Sequence, residues 1–169
     1  AVAAPVVAKG ETVSVKTDLF VAEVSTLGGD IIDLSFNNYK AIEDKDKRLS
    51  LFETKHQYAA QSGLIGEGLP NHKTTFSVVP GPRELGGEAK TVSLRLEAPA
   101  ANGVKVAKIF TFTRGSYVID VAYEINNGSQ SEVYGKAKVN SVKIPAVERY
   151  EKALEDFPAF LKFKDVDEA

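Results

Sequence analysis

Between Thr91 and Ile125 apolar and polar residues alternate with a period of two, and that rhythm limits the folds open to the chain more than any other feature. Successive side chains of an extended strand point to opposite faces, so this period gathers every second residue on one surface, whereas a helix would scatter them around its axis. Over Thr91–Glu97 the apolar set is Val92, Leu94 and Leu96, and the polar set is Ser93, Arg95 and Glu97. Residues 99–103 then turn the chain, Val104–Thr113 returns as a partner strand, and Arg114-Gly115-Ser116 makes a tight connection. Tyr117, Ile119, Val121, Tyr123 and Ile125 follow on one face, and Asn126-Asn127-Gly128-Ser129 ends the run. Connections this short leave no room for crossover helices, so neighbouring strands are expected to run antiparallel.

The first half repeats the theme less regularly. Val13 and Val15 alternate with Ser14 and Lys16, and residues 19–24 are rich in β-formers. Gly28 and Gly29 then punctuate the chain. Residues 31–36 resume as a strand with Ile32, Leu34 and Phe36 on one face and Asp33 and Ser35 on the other. The mixed charges of residues 43–48 read as a solvated loop. From Gly63 to Gly87 repeated glycines and prolines enclose only one extended stretch, residues 74–79, and the rest reads as irregular surface chain. One segment departs from the β pattern: Val147, Tyr150, Leu154 and Phe157 stand three or four apart ahead of Pro158, as in a short amphipathic helix covering a sheet edge. The expected fold is therefore all-β, a twisted antiparallel β-sandwich with a short C-terminal helix. Residues 1–11, small and proline-bearing with no basic n-region, read as a flexible tether and not as a signal peptide. Residues 12–169 are expected to form one sandwich domain.

Several functions are disfavoured by what the chain carries. Lys+Arg 21 against Asp+Glu 23 leaves a net charge of -2, too little to gather a nucleic acid or an anionic membrane surface. The longest apolar runs fall far short of the roughly 20 residues of a spanning helix. With Cys 0, disulfides, a thiol nucleophile and a thiolate metal site are excluded. The 2 histidines, His56 and His72, have no ligand-like spacing to carboxylates. Ser62 lacks the Gly-x-Ser-x-Gly elbow of a hydrolase nucleophile, and the glycines from Gly63 to Gly68 lack the spacing of a phosphate loop. Asp165 with Asp167, and Glu155 with Asp156, read as solvated surface groups. No catalytic residue, cofactor or metal is therefore expected. Tyr58, Phe76, Tyr117 and Tyr123 are candidate groove aromatics for a sugar or an extended peptide, although aromatic residues on strands more often fill a core.

Four stretches stand in a particular order: Val-Ser-Val-Lys-Thr-Asp at 13–18, Ser-Thr-Leu-Gly-Gly-Asp at 25–30, Ala-Gln-Ser-Gly-Leu-Ile-Gly at 60–66, and Phe-Thr-Phe-Thr-Arg-Gly-Ser-Tyr-Val-Ile-Asp-Val at 110–121. In that order they resemble the large periplasmic domain of the YidC-type (YidC/Oxa1/Alb3) inner-membrane protein insertases of Gram-negative bacteria. The residues that carry the resemblance are Gly28, Gly29, Asp30, Gln61, Ser62, Gly63, Gly66, Arg114, Gly115 and Tyr117, with Leu27 where the family has Arg and Thr113 where it has Lys. Residues 148–152 and 161–166 are similar to later family segments, but the stretch 126–147 is shorter than its counterpart and the family's last strands are missing. The resemblance implies a fragment or a divergent form of that domain.

What it implies further is a galactose-mutarotase-like sandwich in the periplasm, joined to the membrane only through transmembrane helices that this chain lacks. Its partners would be Sec translocon accessory subunits and nascent membrane proteins, reached through an edge strand or a groove. Its marker residues would act structurally, Gly63 and Gly66 turning the chain between strands while Leu64 and Ile65 anchor the loop. The alternative is a carbohydrate-binding or mutarotase-like sandwich, which would need a converging acid and base, with only His56 or His72 to supply the histidine.

Overall fold

In a computed structural model, residues 10–52, 59–129, 136–141 and 161–163 are described. They contain strands and no helix. The first sheet is built from β1 (Thr12–Lys16), β2 (Phe20–Ser25), β3 (Asp30–Lys40), β4 (Arg48–Ser50), β5 (Ala60–Ile65) and β10 (Lys136–Ser141). Its order is β1-β2-β3-β5-β10, with β4 pairing β3 to one side. The second sheet takes β6 (Ser77–Val78), β7 (Thr91–Glu97), β8 (Val104–Thr113), β9 (Ile119–Asn127) and β11 (Leu161–Phe163), in the order β11-β9-β8-β7-β6. Every pairing is antiparallel except that of β11 with β9. The segment 147–157, expected to be helical, lies outside the described residues.

The two sheets share one core. Val15, Phe20, Ala22, Val24, Ile31, Leu34 and Leu64 come from the first, and Val92, Leu94, Leu96, Phe110, Phe112, Ile119 and Val121 from the second, all buried in a single cluster. Each such side chain stabilises the fold by about 1.5–3 kcal/mol over its exposed state. The period-two sets of β7 and β9 fall inward as their alternation requires, except that Tyr117 precedes β9 and stays 37% exposed.

Two expectations are corrected. In β3 the inward set is Ile31 and Leu34, while Ile32 is 36% exposed. The cause is a bulge: Glu23 pairs Asp33 but Val24 pairs Ile31, so Ile32 is an extra residue with no partner and the alternation slips by one. The stretch 61–65 is likewise not a turn between strands. It is most of β5, paired with β10 from Ala60 to Ile65, and only Leu64 of the two proposed anchors is buried, Ile65 being 53% exposed.

Candidate functional site

The residues singled out in the sequence divide into two places in the fold. At the first, the turn of Gly28 and Gly29, the start of β3 and the middle of β5 converge on one side chain from the opposite sheet. Lys108 lies in β8 at an inward position between Val106 and Phe110, and it is 0% exposed. Its Nζ donates to the carbonyls of Gly28 (3.2 Å), Gly29 (2.6 Å) and Ser62 (3.0 Å). The ammonium also sits 5.2 Å from the Phe110 ring centre and 5.8 Å from that of Tyr123, its register partner on β9.

Around it stands a polar shell. Gln61 Nε2 donates to Asp30 Oδ2 (3.1 Å), and Tyr123 Oη donates to Ser62 Oγ (3.2 Å). The other carboxylate oxygen, Asp30 Oδ1, is buried without a hydrogen-bond partner. Burial pushes the Asp30 carboxyl above its usual range, against the opposing pull of Lys108 and Gln61. Burial lowers Lys108 to about 7, against the pull of Asp30, and raises Tyr123 to about 12. The glycines are required by closeness: a Cβ on Gly29, whose φ is +60°, would meet Lys108 Cδ at 3.0 Å, and one on Gly63 would meet the Asn71 Cα at 3.3 Å. Gly28, Gly29, Asp30, Gln61, Ser62 and Gly63 are thus one structural unit.

The sequence reading missed Lys108. The signal was present in its phase, because a lysine in step with Val104, Val106, Phe110 and Phe112 is placed among core residues. A charged group there needs paired partners, and the backbone carbonyls of two glycines and a serine supply them.

The remaining markers stand elsewhere. Gly66 accepts the Leu69 N–H in the turn after β5. Arg114 donates to the carbonyls of Leu85 (3.3 Å), Gly87 (2.9 Å) and Ala89 (2.9 Å), and the Gly115 N–H donates to Asp18 Oδ2 (2.9 Å). Beside Gly115 opens an apolar cleft of about 310 Å³, lined by Phe20, Leu34, Phe36, Tyr39, Leu49, Leu51 and Tyr117. Tyr117 lies against Phe20 at 6.2 Å and meets Phe36 edge-on at 5.7 Å, while Phe36 meets Tyr39 at 6.1 Å. Tyr39 is 54%, Leu51 43% and Tyr117 37% exposed, so the wall is open to solvent. A volume at the low end of the ligand-pocket range suits a few apolar side chains.

Of the candidate groove aromatics, Phe76 and Tyr123 are enclosed in the core, and Tyr117 stands on the cleft wall. Tyr58 lies outside the described residues, as does His56. His72 is exposed in the loop before β6. Among the described residues no group of three or more His, Asp or Glu is arranged to hold a metal, and no helix is long and apolar enough to cross a membrane.

The family model described as the YidC periplasmic domain matches residues 12–160. The chain is 51% identical over 132 residues to a membrane protein insertase YidC of Dechloromonas aromatica, covering 78% of this chain and 24% of that protein. It is 55% identical over 118 residues to that of Aromatoleum aromaticum, covering 69% and 22%, and 48% identical over 120 residues to that of Nitrosospira multiformis, covering 70% and 21%. The chain therefore spans about a quarter or less of the length of these curated relatives.

Proposed function

The chain belongs to the family of YidC periplasmic domains, and from that premise we propose that it is a non-catalytic accessory domain of a membrane protein insertase. In this reading it assists the insertion and folding of inner-membrane proteins from the periplasmic side, through contacts with Sec translocon accessory subunits or with the emerging polypeptide. The observation that carries the reading is the solvent-open apolar cleft of Phe20, Phe36, Tyr39, Leu51 and Tyr117. Apolar side chains of a membrane protein that have left the translocon and not yet entered lipid need temporary cover, and a rigid aromatic wall offers it at small entropic cost. The buried Lys108 cluster fixes the scaffold and is enclosed, so contact with partners falls to the cleft.

The test is site-specific photo-cross-linking in the full-length insertase. A photoreactive residue at Tyr39 or Leu51, on the cleft wall, is compared with one at exposed Glu88 during synthesis of a membrane protein in inner-membrane vesicles. Adducts with the nascent chain or with a Sec accessory subunit should be several-fold stronger from the cleft. Equal yields from all three positions would sink the reading. The sugar-binding alternative keeps one of the aromatic residues it would need, Tyr117 on the cleft wall, since Phe76 and Tyr123 are in the core.

A further inference from the structure

We infer that the buried ammonium of Lys108 is a proton-dependent tie between the two sheets, releasing the turn at Gly28 and Gly29 and the loop behind it when the side chain becomes neutral. A lysine ammonium has three hydrogens, and the three carbonyls of Gly28, Gly29 and Ser62 surround Nζ at hydrogen-bond distance. A neutral amine has two hydrogens and a lone pair. One carbonyl then loses its donor and meets the lone pair instead, in a place where an unpartnered polar group is costly. Ser62 is held independently by the β5–β10 ladder, so the turn is the part that yields.

That turn carries a loop with it. Gly28 N–H donates to Thr74 O at 2.7 Å, Phe76 N–H donates to Thr26 O at 2.9 Å, and Leu27 forms an isolated bridge with Thr75. The His72 carbonyl lies 2.7 Å from where a Cβ of Gly28 would stand, and Asn71 packs on Gly63. Residues 71–76 therefore rest on both arms of the tie. The titratable groups facing it are Asp30 from β3, Tyr123 from β9 and His72 from the loop itself, while β7 contributes only apolar Leu96. Burial lowers Lys108 to about 7 and Asp30 opposes that fall, so the proton is exchanged near neutrality. The neutral amine is the easier form to bury, so release of the turn is local and the fold persists.

The experiment follows the side-chain carbon resonance of Lys108 and the exchange of backbone amides in the 169-residue chain from acid to alkaline pH, with exchange corrected for its intrinsic pH dependence. Lys108 should titrate near the midpoint of about 7. Protection of the Gly28 and Phe76 amides should fall several-fold across the same midpoint. In Lys108→Met that protection should not change with pH, and in Asp30→Asn the midpoint should move lower because the opposing carboxylate is gone. An ordinary lysine midpoint overturns the inference, and so does protection that is flat with pH or falls equally in Lys108→Met. If Lys108→Met does not fold, the Asp30→Asn midpoint decides, and an unmoved one overturns the tie.

Discussion

In the second sheet β7, β8 and β9 pair continuously, Thr91 to Glu97 against Ala107 to Thr113 and Val104 to Phe112 against Ile119 to Asn127. In the first sheet β3 meets β5 only at Ile31 and Ala60, pairs β2 across a bulge, and shifts register again against β4. For β3 and β5 the difference follows from how the strands are reached along the chain. Hairpins close short loops and pair residue by residue, whereas β3 and β5 are brought together from distant stretches and have little ladder to align them. The first sheet compensates with a tie made by a side chain of the second, Lys108, across 79 and 46 residues of sequence to Gly29 and Ser62.

The same substitution on each sheet should expose that contrast. Phe112→Ala, in the middle of continuous ladders, should destabilise by about 3–5 kcal/mol in urea unfolding. Phe20→Ala removes the ring that Phe112 contacts at 6.1 Å, but at the cleft wall, where Tyr117 can move into the space, so a smaller loss of about 2–3 kcal/mol is expected. Equal losses would break the comparison. Gly29→Ala attacks the tie directly: at φ +60° its Cβ would press on Lys108 Cδ at 3.0 Å and Leu96 Cδ1 at 3.2 Å. A cost of about 1–3 kcal/mol is expected, with the loop at 71–76 losing amide protection ahead of β7 to β9.

The polar shell should write a signature on the pH dependence. Between about 7 and 10.5 the unfolded chain holds the Lys108 proton that the folded chain gives up, so stability rises with pH over that window. Tyr123 acts the other way: its phenol, raised from 10.0 to about 12, contributes stability below 10.0 that is lost as pH climbs toward 12. Asp30, raised above 3.8, likewise favours the fold most in acid and less as pH rises through its folded value. Urea midpoints should therefore climb above neutrality and fall in strong alkali. Tyr123→Phe should remove the alkaline fall and cost about 1 kcal/mol at neutral pH for the lost bond to Ser62. The smallest effect is expected on the outer face of the second sheet. Arg95 bridges Glu97 at 3.1 Å and Glu124 at 2.5 Å in the open, so Arg95→Ala should change stability by less than about 1 kcal/mol.

Legibility in the sequence follows the same division. The alternation of Val92, Leu94 and Leu96, and of Ile119, Val121 and Tyr123, is a local signal, and those residues are buried as it requires. Ile32 misled because a bulge is decided by pairing with β2, which no window of neighbouring residues contains. Gln61 to Ile65 read as loop because Gly63 sits mid-strand, and the reason for that glycine is Asn71 approaching from the next loop. The markers Gly28, Asp30, Gln61 and Ser62 are visible as residues, but their common partner is not, since the phase of Lys108 places it in the core without naming what it meets 79 and 46 residues away. The cleft was missed for a similar reason: Tyr39, Leu49 and Leu51 become neighbours only when β4 turns back on β3.

The grip of Arg114 on the loop at 85–89 has a consequence for what sequence change the molecule can absorb. Its three acceptors are main-chain oxygens, so beyond Leu85, whose side chain is buried in the core, the loop is held by its path and not by its side chains. Nothing lies within 4 Å of where a Cβ would stand on Gly86 or Gly87, and Gly87, at φ +51°, is the position that resists replacement. Gly86 and Glu88 are thus open to substitution while Arg114 is not. A fluorophore or cross-linker attached at either would report on the domain without touching the cleft or the buried tie.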